Sequence, residues 1–187
     1  RNPGLALPLI ALQYHEVKLK FTWESGATGS GVTRLNNATV APAVEVWVDY
    51  IYLDTDERRR FAQQSHEYLI EQVQHSSLSD TNTAKEINFN HPVKELIMTG
   101  ARDGTTYTPV ALASTYQLKL NGHDRFAARN FTYFTRCQVL QHHSGFGGVS
   151  TKDSIGVYSF ALNPEEHQPS GTCNFSRIDN AQIVQGT

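Results

Sequence analysis

The chain has 187 residues, with 16 Lys and Arg against 18 Asp and Glu for a formal charge of −2, and 39% apolar and 18% charged residues. That is one domain of ordinary size, able to bury roughly 70% of its unfolded surface in a core, and the composition excludes disorder for most of the chain. Near-neutrality leaves no electrostatic footprint for duplex DNA or anionic lipid, and the longest apolar run, nine residues at 4–12 interrupted by Pro8, is too short to span a bilayer.

The opening run is not patterned as a secretory signal. Along residues 15–21, Val17, Leu19 and Phe21 alternate with Glu16, Lys18 and Lys20, the period of a strand with one wet face. Residues 44–53 read as a longer strand. Val44, Val46, Val48, Tyr50 and Tyr52 share one side, and Trp47, Ile51 and Leu53 the other, so the strand is expected to be central or covered on both faces. Asp54 with Glu57 three residues on is a capping-box pair, and the spacing predicts one short helix over 54–64. Arg58, Arg59 and Arg60 on that helix read as a solvated face or as ion-pair partners rather than as a nucleic-acid contact.

Strands resume at 67–74, 86–89 and 93–98, the last two separated by a turn at Asn90-His91-Pro92. Residues 99–114, with Gly100, Gly104 and Pro109, read as a long loop. Segments 116–120 and 124–126 flank Asn121-Gly122, a dipeptide suited to the positive φ of a tight hairpin turn. Further strands are expected at 131–140, 155–162, 173–178 and 182–184. Glycine-rich loops fall at 26–31 and 145–148. About nine short strands and one short helix predict an all-β sandwich or barrel, with no internal repeat and no boundary.

Reactive constellations are sparse. Cys137 and Cys173 form no CxxC pair; they either make one bridge or stay as free, half-buried thiols, and free thiols fit a reducing compartment. Of eight histidines, His142 and His143 are adjacent and would point to opposite faces of a strand, so the spacing gives no metal cluster. The glycine-rich loops match neither a nucleophile elbow nor a phosphate cradle. Glu165-Glu166 follows Asn163-Pro164 and reads as the first turn of a short helix with Asn163 as cap, not as a glycosidase acid pair. Three Asn-x-Ser/Thr sequons begin at Asn37, Asn130 and Asn174; Asn37, in a loop, is the glycosylation candidate.

Several long segments occur together. They are GLALPLIALQYHEV at 4–17, VWVDYIYLDT at 46–55 running on through Glu57-Arg58 and RFAQ at 60–63, and HEYLIEQ at 66–72. NFNHP follows at 88–92, LNG at 120–122, DRF at 124–126, YSFAL at 158–162 and QPSGTCNFSRIDNA at 168–181. In order and spacing the chain resembles the second half of the major capsid protein of nucleocytoplasmic large DNA viruses, most closely the algal-virus branch. The resemblance covers residues 2–181.

It implies a jelly-roll sandwich, the second half of a double jelly roll, here a single domain over 1–187 truncated at both ends relative to the full-length family protein. It also implies homotrimeric, pseudo-hexagonal capsomers in an icosahedral virion shell assembled in the host cytoplasm. Partners would be the chain itself, neighbouring capsomers, minor capsid proteins and glycans, with no direct nucleic acid. No catalytic, cofactor or metal residues are implied, and no enzyme activity. The sandwich is expected to lack its last strand or two, and the loop at 99–114 is short beside those of the family. The segment at 168–180 is expected to serve packing. A carbohydrate-binding or host-attachment jelly roll, with a cleft among loops 26–37 and 99–114, is the alternative; a β-sandwich hydrolase or metal-dependent cupin is a third reading.

Overall fold

Asn121 and Gly122 turn the chain with φ of 51° and 80°, both left-handed, so two residues suffice to pair Leu120 with His123 and Lys119 with Asp124. That is the geometry a two-residue hairpin of the right twist demands. The Asn121 Oδ1 also accepts from the backbone N–H groups of Asp179 and Asn180 at 2.9 and 3.1 Å, which seats the hairpin on the start of the final strand.

This is a computed structural model that describes residues 3–21, 44–78, 83–103, 106–108, 114–145 and 155–186. It divides into two units, Arg1–Glu71 and Gln72–Thr187.

In the second unit the strands are β1 (Ala84–Glu86), β2 (Pro92–Val93), β3 (Glu95–Thr99), β4 (Ala101–Asp103), β5 (Thr106–Thr108) and β6 (Thr115–Leu120). They continue as β7 (His123–Asp124), β8 (Arg129–Asn130), β9 (Ile155–Ser159), β10 (Cys173–Asn174) and β11 (Ala181–Gly186). One sheet runs β1-β11-β6-β7 with β8 also on β6; β10 pairs β2, β3 pairs β9 and β4 pairs β5, and every pairing is antiparallel. Alternation decides which faces are buried. Tyr116 and Leu118 of β6 and Ala181 and Ile183 of β11 turn inward, with Leu118 opposite Ile183. They meet Leu96 of β3, Ile87, Phe175, Phe131 and Phe134 in one core.

Several expectations need correction here. Of the strand expected at 173–178 only Cys173–Asn174 pairs as one, and Phe175–Arg177 is a 3-10 turn. Residues 131–140 are not a strand: the chain is helical from 131 to 142, as a wider π turn Tyr133–Cys137 followed by an α-helix Gln138–His142. Phe131, Phe134, Thr135 and Gln138 are the buried positions, a spacing of three and four that only a helix puts on one face. Gln138 joins helix to sheet: its Oε1 accepts from the Ser159 N–H at 3.1 Å and its Nε2 donates to the Tyr133 hydroxyl at 2.9 Å. The loop at 99–114 contains the β4–β5 hairpin. After Asn163-Pro164 the chain makes a turn and no helix; Glu166 N–H reaches the Asn163 carbonyl at 3.4 Å, and Ser170 Oγ accepts from the Asn163 N–H.

The first unit holds a 3-10 turn at Pro3–Leu5 and the helix α1 (Thr55–Gln63). Asp54 caps α1 by accepting from the Thr55 N–H at 2.7 Å, and Asp56 and Glu57 complement its N-terminal dipole. The Phe61 carbonyl bonds the His66 ring, and the Tyr68 hydroxyl donates to the Ala6 carbonyl. Residues 15–21, 44–53 and 67–74, expected as strands, form no ladder among the described residues. The alternation at 44–53 is real, but a strand needs a neighbour for its backbone. Here its side chains face outward on both sides, with Trp47 89% and Tyr52 91% exposed.

Candidate functional site

The surface offers three features that could carry function: the apolar strip of the first unit, the arginines of α1, and a carboxylate–histidine cluster in the second unit. Val44, Val46, Trp47, Val48, Tyr50 and Tyr52 are all exposed. A monomer rarely leaves so many large apolar side chains in one stretch in water, and such stretches mark contact surfaces. Arg58, Arg59 and Arg60 are likewise exposed; Arg59 stands 3.9 Å from Asp56 one turn back, an exposed pair that contributes little.

His143 lies at the end of the 131–142 helix, with its Nδ1 3.2 Å from Glu165 Oε1 and its Nε2 3.0 Å from Glu95 Oε2. Ser144 fixes Glu165 from the other side, its N–H donating to Oε1 at 3.1 Å and its hydroxyl to Oε2 at 2.7 Å. Those donors, Ser144 first and His143 after it, hold the Glu165 carboxyl below its ordinary value. The sign follows: the contribution of Glu165 is present above the ordinary carboxylate range and is lost as pH falls through its lowered value. Adjacent histidines and Glu165 were visible in the sequence, but their meeting was not, because it depends on the helix that the sequence hides.

Among the described residues no group of three or more His, Cys, Asp and Glu converges in metal-binding geometry. A cavity of about 10 Å³ between Leu96, Met98, Leu118, Phe126, Phe134 and Tyr158 has room for about one water and none for an organic ligand. Cys137 and Cys173 are free thiols, and burial pushes the Cys173 thiol up, so it stays protonated at neutral pH. Burial likewise raises the Tyr158 phenol, with Arg125 opposing it.

Asn37 lies outside the described residues. The other two sequons have structural work. Asn130 Oδ1 accepts from the Thr132 N–H at 3.0 Å and the Thr132 hydroxyl at 2.8 Å, capping the helix; Asn174 Oδ1 accepts from the Ser176 N–H at 3.0 Å and caps the 3-10 turn Phe175–Arg177. Asn130→Ala is therefore expected to cost about 1 kcal/mol in a chemical melt. Asn130→Asp, which keeps the acceptor and removes the glycan acceptor, is expected to melt near the parent.

Comparison with known proteins gives these features a setting. Residues 57–187 match the family model described as large eukaryotic DNA virus major capsid protein, and residues 1–54 match the model described as major capsid protein N-terminus. The two meet at α1. The chain is 47% identical to the major capsid protein of Pyramimonas orientalis virus, over 100% of this chain and 51% of that one. It is 44% identical to that of Paramecium bursaria Chlorella virus 1, over 98% of this chain and 51% of the relative. The chain spans about half the length of the curated relatives it matches. Among solved structures, the quasi-atomic model of the Paramecium bursaria Chlorella virus 1 capsid superposes over 100% of this chain and 55% of that one, at a TM-score of 0.70 and 40% identity. The all-β, jelly-roll reading is thereby borne out, with the helix at 131–142 added to it. The chain belongs to the major capsid protein family of large eukaryotic DNA viruses.

Proposed function

We propose that the chain is a structural part of the icosahedral shell of a large DNA virus, and that it works through shape and neighbours without a catalytic centre. The observation that supports this most is the end-to-end match to viral major capsid proteins, in sequence and in fold. On this reading residues 57–187 supply jelly-roll body of the second barrel, and the copies associate as homotrimers that pack as pseudo-hexagonal capsomers. Neighbouring capsomers and minor capsid proteins are the further partners, glycans on outward loops a modification, the virion the location and the host cytoplasm the place of assembly.

The outward-facing apolar side chains at 44–53 favour a protein whose surface is completed by others. Obligate interfaces of that kind bury on the order of 2,000 Å² or more. Light scattering coupled to size exclusion tests the reading on the full chain. The expected result is a single species at three times the protomer mass of 20.9 kDa, independent of dilution over the micromolar range. A monomer at every concentration, or turnover of a substrate by that monomer, would overturn it.

A further inference from the structure

Asn121-Gly122 is the one Asn-Gly pair in the chain. Such a pair carries its own reagents. The Gly122 nitrogen can attack the Asn121 Cγ, because glycine has no Cβ to hold the two apart. A five-membered imide then forms, the Cγ–Nδ2 bond breaks, and ammonia leaves with the proton that the Gly122 nitrogen gives up. Water opens the imide at either carbonyl and leaves aspartate or isoaspartate. Both residues are exposed, and beyond its chain neighbours nothing lies within 4 Å of where a Gly122 Cβ would be, so water reaches the turn.

The closed hairpin withholds the geometry. Ring closure needs the Gly122 nitrogen on the same side as the Asn121 Cβ about the Cα–C bond. The φ values of 51° and 80° define a mirror-image tight turn, whose first central residue has ψ of about +30°. That ψ swings the Gly122 nitrogen almost opposite Cβ. The amide is tethered as well. Its Oδ1 accepts from the Asp179 N–H at 2.9 Å and the Asn180 N–H at 3.1 Å, and the Asn121 N–H donates to the Asn180 carbonyl at 2.6 Å. Two N–H groups on a carbonyl oxygen also polarise it toward attack, yet polarisation does nothing for a nucleophile that points away.

We propose that Asn121 is a site of spontaneous deamidation gated by the hairpin: the side chain reacts only in molecules whose β6–β7 turn has let go of the start of β11. Local openings of this kind cost less than global unfolding, so the native chain reacts at a rate that the opening sets. The two products differ in effect. Aspartate keeps acceptors for both N–H groups. Isoaspartate routes the main chain through Cγ and adds an atom to the two-residue turn, so Leu120 no longer pairs with His123 and the hairpin stays open. The extent of reaction is thus a record of past openings. The gate rests on this chain's own turn and stands apart from the shell reading.

The test is peptide mapping by mass spectrometry on the full chain, incubated at mildly alkaline pH in buffer and in concentrated urea. Deamidation at Asn121 is expected to run roughly tenfold to a hundredfold slower in the native chain than in the unfolded one. Asp179→Pro removes one donor to Oδ1 and leaves Asn121-Gly122 intact; Ile178, extended at φ −110° and ψ 113°, accepts a following proline. The native variant is expected to react severalfold faster than the native parent. A native parent rate equal to the unfolded rate, or above it because the tether activates the amide, would overturn the proposal. So would an Asp179→Pro rate at or below the parent's. Should Asp179→Pro fail to fold, the comparison of native and unfolded parent decides alone.

Discussion

Truncating Phe131 to alanine is expected to remove about 3–5 kcal/mol of stability, a large share of the roughly 5–15 kcal/mol that holds a typical domain. The ring is 0% exposed. It meets Tyr116 edge-on at 5.2 Å and Phe134 at 6.2 Å, and its far edge lies against Gly156. Its loss removes the transfer energy of a whole aromatic side chain and leaves a void. The void cannot close easily, because its walls are pinned: Tyr116 by the six-residue β6–β11 ladder and Gly156 by the β3–β9 ladder. The midpoint of the full chain should fall by about 10 °C. Leu140→Ala is the control. It sits in the same helical run but is 71% exposed, so its cost should stay within about 0.5 kcal/mol. Equal losses from the two variants would mean that the helix is not held through Phe131.

The elements that could be read from the sequence are those whose signal is local. Asn121-Gly122 specifies a turn by backbone chemistry alone, and Asp54 with Glu57 specifies a helix start; both fall where the residues put them, in a turn at 121–122 and a helix at Thr55–Gln63. The 131–142 helix was hidden because Phe, Tyr, Thr, Cys and Val there have β propensity, and burial against β9 overrides propensity. The missed signals were Asn130 as a cap and the buried spacing 131, 134, 135, 138. Misplacing that helix also concealed the His143 cluster, since adjacent histidines diverge on a strand while a helix end lets His143 alone turn toward Glu95 and Glu165. The opposite error occurred at 44–53. Alternation marks a segment fit to be a strand, but pairing is not a local property, and no ladder forms there among the described residues. The family likeness, by contrast, was legible from long segments such as 46–55 and 168–181, and it is the part of the functional reading that sequence carried furthest.

Gly156→Val is expected to destabilise the chain by about 1–3 kcal/mol through overpacking, although valine is much the better strand former. A Cβ at Gly156 would come within 2.6 Å of Phe131 Cζ, 2.7 Å of its Cε2 and 3.2 Å of the Phe134 Cβ. The Phe131 ring has nowhere to withdraw, being enclosed by Tyr116 and Phe134. Strand propensity alone predicts the other sign, a gain of up to about 1 kcal/mol for valine over glycine in the middle of β9. The direction of the change therefore decides between local preference and packing. A double-variant cycle isolates the contact. Phe131→Leu should cost stability by itself, yet combined with Gly156→Val it should lose less than the two single costs together, since the shorter side chain vacates the space the valine enters. Strict additivity would mean that helix and strand do not meet at this point, and the close approach that only a glycine permits would no longer explain why the helix lies where it does.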